Sequence, residues 1–390
     1  MKRLLFYFPV NPAAKNAGNI TRALGFLEYF KKRNLEVDFV SEKYWGIYTP
    51  EGIAELKATG LVNEVHLLEW KPKKKNPITY FFGYKLKNKS FVRKINPKGA
   101  VFNRVTLYLQ QQFNELLLKK HYDYILISYA FWADLIYKNP LAAKSLTIID
   151  THDLESSQFQ HEEGFDVGVA LGDELRRLEL YDQVWAISPE ESYFFSQFLG
   201  NRVKYIPMML PDPIPVTPNS NPEFDLVYVA SDNPKNIMSA AWFFDHVYPL
   251  ISPDARLAVV GKITSHVPEN LPNVTLIPYV EHLETIYTNA RVALSPMLEG
   301  TGVKVKVVEA LSHGLPVVCT ERGTDGLPFK SNNGCLVGET PAEFADYVNR
   351  LLQDADLYKQ QAEMAKNTFL QCFSTEEVSK RLDAALSIGR

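Results

Sequence analysis

Cysteine is scarce in this chain: only Cys319, Cys335 and Cys372 occur in 390 residues, and no two form a Cys-x-x-Cys pair. That scarcity argues against a disulfide framework or a cysteine zinc site and leaves three buried or incidental thiols. No stretch approaches the roughly 18 consecutive apolar residues of a membrane-spanning helix. The opening MKRLLFYFPVNP places two basic residues before an apolar run, but Pro9, Asn11 and Pro12 end it without a cleavage site. It reads as a first β-strand rather than a signal peptide. The expected location is the cytoplasm, with at most peripheral attachment to the inner face of the cell membrane. Neither sign of charge dominates: 42 basic against 45 acidic residues leave a net charge of −3. That balance speaks against nucleic acid as a general partner. Hydrophobic content of 46% with 22% charge is that of a globular protein, and the length accommodates two domains.

What is abundant is the short apolar run. Leu4 to Phe8, Val37 to Val40, Val65 to Leu68, Tyr124 to Ser128, Leu146 to Ile149, Val184 to Ile187 and Val203 to Ile206 alternate with helical patterns. This is how parallel strands buried on both faces read. Prolines then crowd from Pro207 to Pro222, where neither a helix interior nor a central strand can form. The rhythm restarts with Asp225 to Ala230, Leu257 to Val260, Val274 to Ile277, Val292 to Ser295, Pro316 to Cys319 and Cys335 to Val337. The expected fold class is α/β, with two doubly wound parallel-sheet domains of Rossmann type facing a central cleft. The first spans residues 1–210, a linker 211–223 and the second domain 224–373, with a closing helix over 374–390.

In open parallel sheets, ligands gather beyond the carboxyl ends of the strands, and three clusters are expected there. After the first strand come Gly18, which permits close backbone approach, and Asn19, a candidate helix cap. After the run ending at Ile149 come His152 and Asp153, suited to sugar binding or proton handling; the plainer reading makes Asp153 a helix cap. The third is Leu298 to Gly314, LEGTGVKVKVVEALSHG. Its Gly300-Thr301-Gly302 turn leads into a helix whose free N–H groups and positive dipole end suit a phosphate. At about 100° per residue, Val303, Val307, Ala310 and Leu311 share one face, while Glu309 lies opposite with Lys306 one turn back. A carboxylate there is placed for ribose hydroxyls rather than for phosphate. The plainer reading is a surface ion pair on an amphipathic helix. Without a third glycine, the turn is no dinucleotide fingerprint.

The run from Gly300 through Lys304, Lys306 and Glu309 to Val318 resembles the donor-binding segment of GT-B glycosyltransferases of family 4, in a bacterial subgroup with a Gly-x-Gly-x-Lys-x-Lys pattern. Val229 to Asn236, Asp150 to Asp153 and Gly334 to Val337 support the likeness in order along nearly the whole chain. The resemblance implies a retaining, metal-independent hexosyltransferase using a UDP- or GDP-sugar donor and a saccharide or lipid-linked acceptor of surface-glycan biosynthesis, with no bound cofactor. The first domain would hold the acceptor, and the helix beyond about Ser374 would cross back to it. The resemblance assigns Glu309 to the ribose, and Lys304, Lys306 and Lys235 to the diphosphate, with Gly300, Thr301, Gly302, Val303 and Ser231 around the donor. His152 or Asp153 would orient donor or acceptor. The first glutamate of the family's Glu-x7-Glu pattern falls at Thr301, with Glu299 two positions early, so the contact to the sugar hydroxyls is open. Other readings of the same fold are a sugar-nucleotide 2-epimerase and a non-catalytic glycan-binding or scaffold protein.

Leaving-group stabilisation is the chemical need of such a transfer, because breaking the sugar–phosphate bond adds negative charge to the diphosphate. No carboxylate pair stands out as a dedicated nucleophile for double displacement. Domain closure about the proline-rich linker would keep water out. Residues 71–98 carry ten lysines and arginines and no acid, interleaved with Tyr80, Phe81, Phe82, Tyr84 and Phe91. That mixture suits an anionic membrane face or lipid-diphosphate acceptor; a solvated loop and a single-strand nucleic-acid patch are the competing readings.

Overall fold

Thirteen strands among the described residues, all in the positions the apolar runs predict, build two parallel sheets. The structure, a computed structural model, describes residues 1–14, 18–46, 48–160, 164–211, 221–300 and 302–388. The expected linker therefore lies mostly outside the described residues. One compact unit comprises Met1–Met209 with Ala385–Ile388, and the other Leu210–Ala384.

In the first unit the strands are β1 (Arg3–Tyr7), β2 (Glu36–Glu42), β3 (Glu64–Leu68), β4 (Tyr124–Ser128), β5 (Leu146–Asp150), β6 (Gln183–Ala186) and β7 (Val203–Tyr205). Their order is β3-β2-β1-β4-β5-β6-β7, so the direction of winding reverses between β1 and β4. Alternation along β1 feeds two cores: Leu5 and Tyr7 join Ile125, Ile127 and Trp132 on one face. On the other, Phe6 meets the edge of Phe30, and Phe26 that of Trp185. Each such side chain, fully buried, contributes on the order of 1.5–3 kcal/mol. Register pairs Tyr7 with Ile127 and Ser128 with Asp150, which brings the ends of β1, β4 and β5 to one edge.

The second unit has β8 (Phe224–Val229), β9 (Leu257–Val260), β10 (Val274–Ile277), β11 (Ala290–Ser295), β12 (Val317–Cys319) and β13 (Cys335–Val337). Their order is β10-β9-β8-β11-β12-β13, with the reversal between β8 and β11. Leu226, Tyr228, Val292 and Leu294 pack there under Phe243, Phe244 and Phe344.

Residues 77–95 are helical rather than a loop, in three consecutive segments: Pro77–Tyr80, a π-turn Phe81–Lys85 and Leu86–Ile95. Asn76 caps the start by accepting from the Ile78 and Thr79 N–H groups, and Pro77 sits at the first helical position, where its missing N–H costs nothing. The last helix, Thr375–Leu386, ends within the first unit, where the Tyr124 hydroxyl donates to Leu386 O at 3.0 Å and the Gln183 amide to Ala385 O at 2.8 Å. No helix of the described residues is long and apolar enough to cross a membrane.

Candidate functional site

At the reversal point of the second sheet, β11 runs into the loop 296–304 and then the helix Val305–Ser312. The helix begins later than its pattern suggests, because Lys304 takes the cap position with φ −82° and ψ 88° and no side chain caps the first turn. Val303 and Lys304 thus belong to the loop, not to a helix face. Val303 packs against Gly326, whose φ of +82° and bare Cα make room: a Cβ there would fall 2.5 Å from Val303 Cγ2. Lys304 Nζ donates to Gly300 O at 3.1 Å and Gly302 O at 3.0 Å, so this ammonium braces the turn from within. Thr301 lies outside the described residues, and Glu299 is exposed.

Lys306 and Glu309 do meet, with Nζ 2.8 Å from Oε2. The Tyr287 hydroxyl, at 3.4 Å, donates to the same Glu309 oxygen. Burial, and then the Glu309 charge, push the Tyr287 phenol well above its ordinary pKa, so it stays a donor. Across the reversal point, Asn233 caps the helix Pro234–Trp242, and the Asn236 amide holds Ser231 by its carbonyl at 3.0 Å and its hydroxyl at 3.1 Å. Lys235 Cδ lies 3.7 Å from where a Gly300 Cβ would be, and Ser239 Oγ accepts from Leu298 N at 3.1 Å. Ser231, Lys235, Gly300, Gly302, Lys304, Lys306 and Glu309 therefore line one edge, that formed by the ends of β8 and β11.

The first unit's reversal point is also built. Gly18 opens the helix Gly18–Lys32, and Asn19 is its second residue rather than its cap: its amide donates to the Tyr129 hydroxyl at 2.9 Å and its Oδ1 accepts from Ile20 N. Tyr129 and His152 stack with ring centres 4.1 Å apart and planes within 9°. Both hold positive φ, +69° and +62°, a strained conformation for residues with large side chains. His152 Nε2 lies 2.8 Å from Asp150 Oδ2. Asp150 is fully buried and forked by Arg22, whose Nη2 is 2.6 Å from Oδ1 and whose Nη1 donates to Pro207 O. Burial alone would raise the Asp150 pKa, but Arg22 and His152 overturn it and hold the carboxyl well below the usual range. Asp153 does not cap the next helix, Glu155–Gln158. Leu154 holds that position, and the buried Glu174 carboxylate accepts from the Glu155 and Ser156 N–H groups at 3.0 and 2.9 Å. A carboxylate from elsewhere in the chain displaces the local one because it reaches two orphan donors at once.

At the end of β2, the buried Glu42 pairs with Arg104 at 2.9 Å. The Arg104 guanidinium stands 4.2 Å over the Trp45 ring and 5.9 Å from Trp70. Both indoles are exposed, at 48% and 41%. Among the described residues, the three-residue group able to hold a metal, Asp38, Glu64 and His66, lies away from this edge, and Lys120 already stands 2.8 Å from Asp38.

Residues 223–354 match the family model described as Glycosyl transferases group 1. That span is the second unit's sheet and the loop after β11. Over 302 residues the chain is 23% identical to an uncharacterised 44.6 kDa protein in the cps region of Klebsiella pneumoniae, covering 67% of this chain and 75% of that one. Anabaena Alr3699/HepE, solved in complex with UDP, aligns over 99% of this chain and all of its own, with a TM-score of 0.68 and 15% identity. Staphylococcus aureus TarM, as a point mutant in complex with fondaparinux, α-GlcNAc-glycerol and UDP, gives 0.66 and 14% over 99% and 100%. A glycosyltransferase from Rickettsia africae gives 0.65 and 15% over 100% and 99%. These likenesses establish the GT-B fold that the sequence suggests. Sequence reasoning missed Arg22, Tyr129, Tyr287 and the Trp45–Arg104–Trp70 group. The signal for Arg22 was a lone cation on an apolar helix face; the others carry none that one sequence reveals.

Proposed function

We propose that this protein is a retaining glycosyltransferase that moves a hexose from a UDP-sugar to a saccharide or lipid-linked acceptor of surface-glycan synthesis. The observation that carries the reading is the loop 296–304 and helix Val305–Ser312 at the reversal point of the second sheet, with an exposed Lys306 and a Glu309 oriented by Tyr287. The group 1 family match over this unit and the UDP held by the HepE and TarM structures support it.

The diphosphate lies at the uncapped helix end, with Lys306 and Lys235 supplying cations as the sugar bond breaks. Their charge and the helix N–H groups meet the leaving group's need without a metal ion. Glu309 accepts from the ribose hydroxyls. Lys304, spent on two carbonyls, sets the shape of the turn instead. In the first unit the strained Tyr129–His152 stack and the Trp45–Arg104–Trp70 group serve the acceptor. Indole faces bind the apolar face of a pyranose, and Arg104 with Glu42 addresses its hydroxyls.

The test supplies UDP-glucose, whose anomeric bond is α, with a glycolipid fraction as acceptor, and reads the new linkage by NMR. An α linkage with stoichiometric UDP release is expected. A β linkage would overturn retention, and an epimerised sugar released without acceptor would move the assignment to an epimerase.

A further inference from the structure

The basic segment has two faces that do different things. Its inner face, at intervals of three to four residues, is anchored to the first unit. Tyr84 stands edge-on to Tyr108, the Asn88 side chain accepts from Leu107 N at 2.9 Å, Phe91 packs on the core and Ile95 is fully buried. Its outer face is exposed and apolar along the ridge Ile78, Phe82 and Leu86, with Phe81 edge-on to Phe82 beside it; Ile78 is 71% and Phe82 63% exposed. Exposed lysines flank that ridge at Lys85, Lys87 and Lys89, more stand at Lys73, Lys74 and Lys75 before it, and no acidic residue occurs from 71 to 98. Isolated exposed apolar side chains are ordinary, but a ridge of four ringed by cations on one helical stretch is not.

We propose that the outer face of residues 77–95 docks the protein on an anionic lipid bilayer. A helix of this kind lies in the interface plane, its aromatics at the acyl boundary and its lysines among anionic headgroups. The anchored inner face makes the docking rigid, so the first unit is held at one orientation to the bilayer. A cavity of about 550 Å3 lined by Arg93, Lys98, Phe102, Phe159 and Phe165 opens at the end of the same helix and continues its cationic and aromatic character. Charge complementarity selects the occupant: ten cations without a carboxylate attract lipid phosphate, and the apolar ridge needs a hydrocarbon phase that a soluble polyanion lacks. The docking does not depend on glycosyl transfer being the activity.

The test is co-sedimentation of the full chain with phosphatidylcholine vesicles and with phosphatidylcholine–phosphatidylglycerol vesicles. Binding is expected on the anionic vesicles alone. Lys85→Gln, Lys87→Gln and Lys89→Gln together should lower the partition coefficient about a hundredfold, at about fivefold per lysine. Ile78→Ser with Phe82→Ser should leave an attraction that added salt abolishes. All five positions are exposed, so the variants should melt with the wild type and retain its nucleotide binding, which separates failure of this proposal from failure of the transferase reading. Equal binding to neutral vesicles, insensitivity to the lysine changes, or no binding to the anionic vesicles would each overturn it.

Discussion

Arg22 and Asp150 are 128 positions apart in sequence and form a fully buried forked ion pair beside His152. Losing the guanidinium leaves a buried carboxylate with His152 alone beside it. Arg22→Leu should therefore cost about 3–5 kcal/mol of unfolding free energy, measured by urea titration. Because the folded Asp150 pKa lies below the ordinary 3.8, the pair's contribution is present above the unfolded pKa and is lost as pH falls toward the folded one. The gap between wild type and variant should be full above about pH 5 and close progressively in acid; a gap independent of pH would contradict the assignment. Such pairs are not legible in one sequence, since nothing local to Arg22 names its partner. Lys306 and Glu309 are legible because three residues on a helix fix their proximity.

At the scale of elements, strands were readable because a parallel sheet covered on both faces demands continuous apolar runs, from Leu4 onward to Cys335. Helix starts were less so. The helix after β11 was readable as a helix but not in its first turn, because Lys304 is drawn to carbonyls of its own loop and Val303 to Gly326. That packing ties the course of the chain at Val303 to Gly326. Gly326→Ala places a Cβ 2.9 Å from Val303 Cα at φ +82°, and should cost roughly 1–3 kcal/mol while also weakening nucleotide binding. Unchanged affinity in a folded variant would show that the loop's shape is not tied to this contact. The basic segment is helical despite its charge, because Tyr84, Asn88, Phe91 and Ile95 recur on a face that packs. The plainer reading of Asp153 as a helix cap fails for the opposite reason, since Glu174 reaches back from the following helix, Val167–Leu178.

At the scale of the molecule, the two sheets follow the same strand order, the first with a seventh strand added at its edge, and each carries polar side chains at its reversal point. The second unit's edge holds the group read as the donor site; the first unit's holds the strained aromatic stack and the exposed indoles. The sequence reached the second more fully because its groups lie within one loop and helix, whereas the first assembles from the ends of four strands. In the proposed function, the second unit binds a uridine diphosphate through Lys306 and Glu309. Thermal shift with calorimetry, using UDP, GDP and ADP on wild type, Glu309→Ala and Lys306→Ala, reads that binding. Ligand at a hundred times its Kd adds about 2.7 kcal/mol to the folded state, enough to raise the melting temperature visibly. UDP alone should do so, with affinity about 10- to 100-fold weaker in either variant, as expected for loss of a charge-assisted hydrogen bond. A wild-type protein that no nucleotide stabilises, or that binds UDP as tightly without Glu309 and Lys306, would contradict the account.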